Sequence, residues 1–397
     1  MRVSRWALVL LALAAPVAAQ KQPSRKQAVS DSNDAREYYR VGLFDLSKDP
    51  PKAAASLYWA TRLQPTWAQA LYLRRIAELR ADDYVLVRYF QGDKKVRKAM
   101  AAADSLLYRA RMIEPFLLQE HDKDLLVAYI EAALMREIRV SNPSASVGEV
   151  RYAVSSYIQD LTSSSRDPGL AGWLAFSDRR YPEALNHYAR AIGKQHKNPD
   201  YHDDRATIFF VLKQYDSAAA ELRHAVDEMK KEEKKETAVI YRPKALLQYR
   251  LAHVFLMTNR IDSAKAALGR ALEEDLAFYP AHLTLAAMAV ATGDSAAAKG
   301  EMDLAVQLEP GDAYPFMRHA DLAAALRDYE AAAVSYGKVI ALEPYYADPH
   351  RLLGEVEEAR NRPAEAIEHY RRYLSMAVRG DRDLAAIRER IRALGGQ

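Results

Sequence analysis

"AHVFLMTNRIDSAKAALGRAL" (252–272) has the same design as "ATIFFVLKQYDSAAAELRHAV" (206–226), and the two align without a gap. Each opens on an alanine and carries "DSA" ten residues later. A leucine follows that triplet's alanine by four, and another alanine comes three further on. Four more segments keep the register: "GWLAFSDRRYPEALNHYARAI" (172–192), "AAMAVATGDSAAAKGEMDLAV" (286–306), "ADLAAALRDYEAAAVSYGKVI" (320–340) and "GEVEEARNRPAEAIEHYRRYL" (354–374). Their first residues are 172, 206, 252, 286, 320 and 354, so the period is 34 except for one step of 46. A 34-residue period with two helices per unit predicts a helical solenoid, in which each unit buries its apolar side against its neighbours.

Residue size explains the pattern. Gly172, Ala206, Ala252, Ala286, Ala320 and Gly354 are small where the first helix must approach its partner. Alanines 184, 218, 264, 298, 332 and 366 recur in the second helix, each followed four residues later by a large side chain: Tyr188, Leu222, Leu268, Met302, Tyr336 or Tyr370. Large residues set into gaps left by small ones are how helices reach close packing. Pro310 and Pro344 stop second helices, and Asp294 and Asp328 stand where second helices begin, as caps do.

These residues resemble the tetratricopeptide repeat family, with Tyr181, Tyr215, Tyr329 and Pro182 matching the turn between the helices. The family's tryptophan at the fourth position is absent, with His282, Phe316 and His350 in its place. The clear match runs from about 165 to 380. The resemblance implies an all-α, right-handed superhelical α-solenoid of antiparallel helix pairs, closed by a capping helix. The cap is expected within 381–397, where Leu384, Ile387, Ile391 and Leu394 fall on one face. Upstream, 35–164 is read as degenerate repeats with insertions: a unit over 40–65 with Gly42, Ala53, Leu57, Ala60 and Pro65, a pair from 67–80 and 101–115 split by 81–98, and a stretched pair at 119–140 and 147–162.

The resemblance also implies a site. In the family, first helices line a concave groove, and the equivalent positions here include Trp173, Phe176, Phe210, Leu246, Tyr249, His253, Leu256, Leu283, Val290, Tyr314, Met317 and Asp321. The last unit adds Asp348, Arg351, Glu355 and Glu358. Such a groove is apolar and aromatic in its middle and acidic towards its C-terminal end, which suits an amphipathic helix or an extended apolar peptide. The alternative is that several of these residues pack between repeats. No Lys–Asn clamp for a terminal carboxylate appears at these positions.

Composition narrows the partners. Lys and Arg number 57 against 53 Asp and Glu, a net charge of +4, without the basic excess of nucleic-acid binders. The absence of cysteine removes disulfides, thiolate ligands and thiol nucleophiles. "MRVSRWALVLLALAAPVAAQ" (1–20) has a basic start, an apolar run and small residues before Gln20, which predicts a secretory signal peptide over 1–19. Its apolar stretch is shorter than the roughly 20 residues that span a bilayer, so no stable membrane insertion is expected after cleavage. Residues 20–34 are expected to be a flexible linker, and an exported location, periplasmic or secreted, follows from the signal.

No phosphate loop, dinucleotide fingerprint, HExxH or GxSxG motif occurs. The titratable clusters "HKNPDYHDD" (196–204) and "HDKD" (121–124) match no metal-ligand spacing, and "RGD" (379–381) lies between the last repeat and its cap. No catalytic residue, metal or cofactor is expected. The leading reading is a non-enzymatic scaffold that binds a protein or peptide. The alternatives are an envelope glycan or polymer binder using some of the 24 tyrosines, or an enzyme with its site in the irregular N-terminal third. "MKKEEKKE" (229–236) falls in the twelve-residue insertion and carries like charges at every i,i+4 pair, which predicts a solvated helix end.

Overall fold

The computed structural model describes residues 23–24, 29–82, 85–90, 93–141, 144, 146–163, 167–194, 198–232 and 244–396. The predicted signal peptide and most of the charge run and its return segment lie outside these residues. The described residues contain helices and no strand. The N-terminal helices are α1 (Ala35–Asp45), α2 (Pro50–Leu63), α3 (Ala68–Arg80), α4 (Val85–Phe90), α5 (Lys94–Ile113), α6 (Asp122–Ser141) and α7 (Val147–Ser163). The six periodic units are the pairs α8 (Pro168–Ser177) and α9 (Tyr181–Lys194), α10 (Pro199–Val211) and α11 (Tyr215–Glu232), α12 (Lys244–Met257) and α13 (Ile261–Glu274), α14 (Tyr279–Thr292) and α15 (Ser295–Leu308), α16 (Ala313–Ala325) and α17 (Tyr329–Leu342), and α18 (Asp348–Ala359) and α19 (Pro363–Met376). α20 (Leu384–Ala393) closes the chain.

The small and large positions form the core. All six second-helix alanines, from Ala184 to Ala366, are fully buried, and so are Tyr188, Leu222, Leu268 and Tyr370. A methyl group placed on Gly354 would stand 2.5 Å from the Tyr370 ring. The glycine therefore makes room for the tyrosine that follows it by 16 residues.

A second periodicity lies in the backbone. Positive φ occurs at Arg179, Lys213, Asn259, Gly293, Arg327 and Asn361, the same place in every unit. At each, the next residue's N–H reaches back five residues, as Arg180 does to the Ala175 carbonyl (2.8 Å) and Asp328 to the Ala323 carbonyl (2.9 Å). This is the Schellman arrangement, which satisfies the last carbonyls of the first helix and reverses the chain. The reversal brings Asp294 and Asp328 to the start of α15 and α17, where their carboxylates accept the N–H groups of Ala297 and Ala331.

The described residues form two compact units: those within 1–45, 52–70 and 282–397, and those within 46–51 and 71–281. This grouping cuts across the segments read from the sequence. In the first unit, α1 and α2 pack on the last repeats. Ala35, Tyr38, Trp59, Ala60, Leu63 and Ala70 form one buried cluster, and Tyr345, from the loop between α17 and α18, packs against it. Trp59 meets the Tyr345 ring edge-on at 5.3 Å, and Arg62 pairs with Glu343 at 2.5 Å. Part of the expected linker is held as well: the Arg379 N–H donates to Asp31 (2.7 Å), and Glu37 accepts from the Ser30 hydroxyl and N–H. In the same unit, Ile387 and Ile391 of α20 are buried against Ala366, Tyr370 and Tyr373. In the second unit, Ala175, Phe176, Ala184, Tyr188 and Ile208 form a core with Trp173 packed beside it.

Candidate functional site

The first-helix positions behave differently in the two units. In the unit of residues 46–51 with 71–281, Phe176, Leu246 and Tyr249 are closed off by packing, whereas Phe210 and three others keep partial exposure. Phe176 is buried, and Phe210 stacks on Phe116 with centroids 3.7 Å apart. Leu246 is 3% exposed and Tyr249 is 4% exposed, with Tyr249 edge-on to Phe278 at 5.4 Å. Trp173, His253 and Leu256 keep partial exposure. The His253 ring lies 4.6 Å from Tyr249, its Nε2 is buried without a hydrogen-bond partner, and burial pushes its pKa down to about 4.

Beside Tyr249 lies a buried charged group that repeat position does not announce. Arg250 is 2% exposed, pairs with Asp203 and donates to the Thr207 hydroxyl at 2.5 Å. Its guanidinium covers the Phe116 ring at 4.4 Å. Arg111 also approaches Asp203, at 3.7 Å. Burial, and then the neighbouring Arg111 charge, depress the Arg250 pKa well below the usual arginine range.

In the unit containing residues 282–397, Leu283 is buried, but Tyr314, Met317, Asp321, Arg351 and Glu355 all keep partial exposure. Met317 packs at the junction of two clusters, one around Ala320 and Tyr336 and one around Ala313 and Val339. Asp321 accepts the Tyr336 hydroxyl at 2.8 Å and lies 3.4 Å from Arg318, while burial raises its pKa. Arg351 pairs with Glu355 at 2.8 Å. The expected acidic end is therefore altered. Glu355 and Glu358 are present, but Arg390 of α20 reaches both, at 4.0 and 2.9 Å, so each carboxylate has a cationic partner. This surface is a mixed-charge face with an apolar floor, built from α16 and α18.

The fourth position of the repeat, tryptophan in the resembled family, has its own logic here. His202 pairs with Glu221 at 2.7 Å and His282 with Glu301 at 2.6 Å. In both, the second helix supplies a carboxylate 19 residues after the histidine. In the last repeat the same two places are His350 and His369, whose Nδ1 atoms face each other at 3.3 Å. Burial pushes the His350 pKa down to about 4. The 19-residue spacing was present in the sequence, but only the fold shows that the two places touch.

The clusters weighed as metal sites are divided among separate partners. Asp203 faces Arg250, Asp204 accepts the Tyr188 hydroxyl at 2.8 Å, and His202 belongs to Glu221. His196 lies outside the described residues. In "HDKD", Asp124 pairs with His121 at 2.9 Å, whereas Asp122 accepts from Tyr72 at 3.1 Å. Among the described residues no group of three or more histidines and carboxylates is arranged around a metal position, and no helix is long and apolar enough to cross a membrane.

No curated protein matches the sequence. Among solved structures, the C-terminal part of a TPR repeat-containing protein from Cytophaga hutchinsonii is 14% identical, with a TM-score of 0.45 over 56% of this chain and 83% of that one. PilW, a type IV pilus biogenesis factor, is 18% identical, with a TM-score of 0.43 over 57% of this chain and 98% of that one. Yeast Tom70 is 16% identical, with a TM-score of 0.42 over 91% of this chain and 89% of that one. A family model described as tetratricopeptide repeat matches residues 170–231 and 317–382. Those two stretches, each containing two turns of the same Schellman geometry, match the tetratricopeptide repeat, and the described residues form an all-α repeat structure around them.

Proposed function

We propose that the chain is a non-enzymatic scaffold, exported to the cell envelope, that holds an extended peptide segment of a protein partner on the face formed by α16 and α18. The tetratricopeptide repeats support protein binding as the general role. The contrast between the two units carries the choice of face. Leu246 and Tyr249 are closed off by packing, whereas Tyr314, Met317, Asp321, Arg351 and Glu355 stay partly open on adjacent first helices. An apolar floor at Met317 with Arg318, Asp321, Arg351 and Glu355 around it suits a segment that places one apolar side chain between polar or charged neighbours. Export rests on the signal-peptide pattern of residues 1–19. The tyrosines that recur with the repeat, Tyr188, Tyr336 and Tyr370, are buried and donate their hydroxyls to carboxylates, so they do not serve the glycan reading, which would have to rest on the exposed Tyr152 and Tyr157 outside the repeats.

A photoreactive residue at position 317, introduced in intact cells, is expected to trap a discrete protein adduct. The same residue at position 334, where Val334 is 67% exposed on a second helix, is expected to trap none. Equal yields at the two positions, or none at 317, would remove this face from consideration.

A further inference from the structure

The last repeat departs from its siblings in one way that changes its chemistry. Where two other repeats place a histidine against a glutamate, this one places His350 against His369, with the two Nδ1 atoms 3.3 Å apart. Two nitrogens bound to one tetrahedral zinc at about 2.0–2.1 Å stand about 3.3 Å from each other. The separation is therefore the bite of a single metal ion, fixed by packing of α18 on α19. The pair opens on a cleft of 390 Å³ lined by His350, Glu368, His369, Arg371, Arg372 and Ser375. The cleft leaves room for water ligands, and imidazole is a preferred donor for late first-row divalent metals.

We propose that His350 and His369 form a two-histidine site for a late first-row divalent cation such as Zn²⁺, completed by water. The site has two protein ligands, in keeping with the absence of any three-residue metal cluster among the described residues. Glu368, at the same cleft, is the carboxylate placed to offset the cation's charge, while the exposed Arg371 and Arg372 at the rim oppose it and limit affinity. Without metal, one ring donates its Nδ1 proton to the other. Metal binding moves that proton to Nε2 of the same ring, so both Nδ1 lone pairs are free and no net proton is released. The ion would tie the first helix of the last repeat to the second.

Calorimetric titration of the full chain with zinc chloride, after chelator treatment, tests the site. The variants are His350→Gln and His369→Gln, since glutamine keeps a hydrogen-bonding partner but is a poor ligand for these metals. The wild type is expected to bind zinc and to melt at a higher temperature with it. Each variant is expected to bind at least tenfold more weakly and to lose the zinc-dependent rise. Absence of zinc binding by the wild type overturns the proposal, and so does wild-type affinity in both variants, which would place the metal elsewhere.

Discussion

Trp59→Ala tests the part of the fold that the repeat pattern does not contain. Trp59 is 3% exposed, lies edge-on to Tyr58 and Tyr345 at 5.4 and 5.3 Å, and donates its indole N–H to the Pro23 carbonyl at 3.0 Å. Truncating a buried tryptophan costs about 3–5 kcal/mol, which includes the lost apolar burial and the cavity that remains. The lost hydrogen bond adds about 1 kcal/mol. That total is comparable with the stability of a small domain, about 5–15 kcal/mol, and it acts at the contact between α1–α2 and the loop after α17. Neighbouring repeats can open separately in such arrays, so the effect should be local. Hydrogen exchange read by mass spectrometry should show lost protection in α1 and α2 and around residues 343–346, nearly 300 positions away. Peptides from α12 and α13 should be unchanged. If residues 343–346 keep wild-type protection while α2 loses it, α1 and α2 do not support the loop after α17 and the packing described for them is wrong.

Other outcomes follow from single positions. Left-handed backbone costs a non-glycine residue roughly 1–2 kcal/mol, so Arg327→Gly (φ 62°) should raise stability by about 1 kcal/mol in urea denaturation and Gly293→Ala (φ 78°) should lower it by a similar amount. Open space around Gly293 leaves backbone strain as the only cause. Arg250→Ala should cost about 3–5 kcal/mol by taking from the buried Asp203 its closest cation and leaving it only the more distant Arg111, whereas the double variant Arg250→Met, Asp203→Leu should recover most of that loss. Acidification should destabilise the protein through His253. Its folded pKa of about 4 lies below the ordinary 6.5, so between those values the unfolded chain takes up a proton that the folded chain refuses. The contribution is intact above pH 6.5, is lost as the pH falls to 4, and amounts to about 3 kcal/mol. A His253→Phe variant should lose stability less steeply across that window.

How much of this was visible in the sequence depends on the range of the interaction. The small–large pairs, such as Gly354 with Tyr370, repeat at fixed separations within one unit, so periodicity alone exposes them. The αL turn repeats as faithfully, yet its residues are Arg, Lys, Asn, Gly, Arg and Asn, which share no chemistry and hide the constraint. The first-helix positions fall on helices, but repeat position does not report what covers a side chain. Tyr249 and Met317 hold the same place in their units, and only Tyr249 is closed over, by Phe278 and His253. The acidic end expected from the repeat positions lacks Arg390, because the cap's cationic side faces the carboxylates only after α20 has folded back. The pairing of Trp59 with Tyr345 joins segments that carry no mutual pattern, so nothing in the linear order announces it.

The most direct test of the account is the affinity of the partner recovered through position 317 for purified wild type and for two variants. Met317→Glu should weaken binding at least tenfold by placing a charge on the apolar floor, and Val334→Glu, on the exposed second-helix surface, should leave it unchanged. Wild-type affinity in Met317→Glu, or an equal loss in Val334→Glu, would contradict the assignment of partner binding to the α16–α18 face.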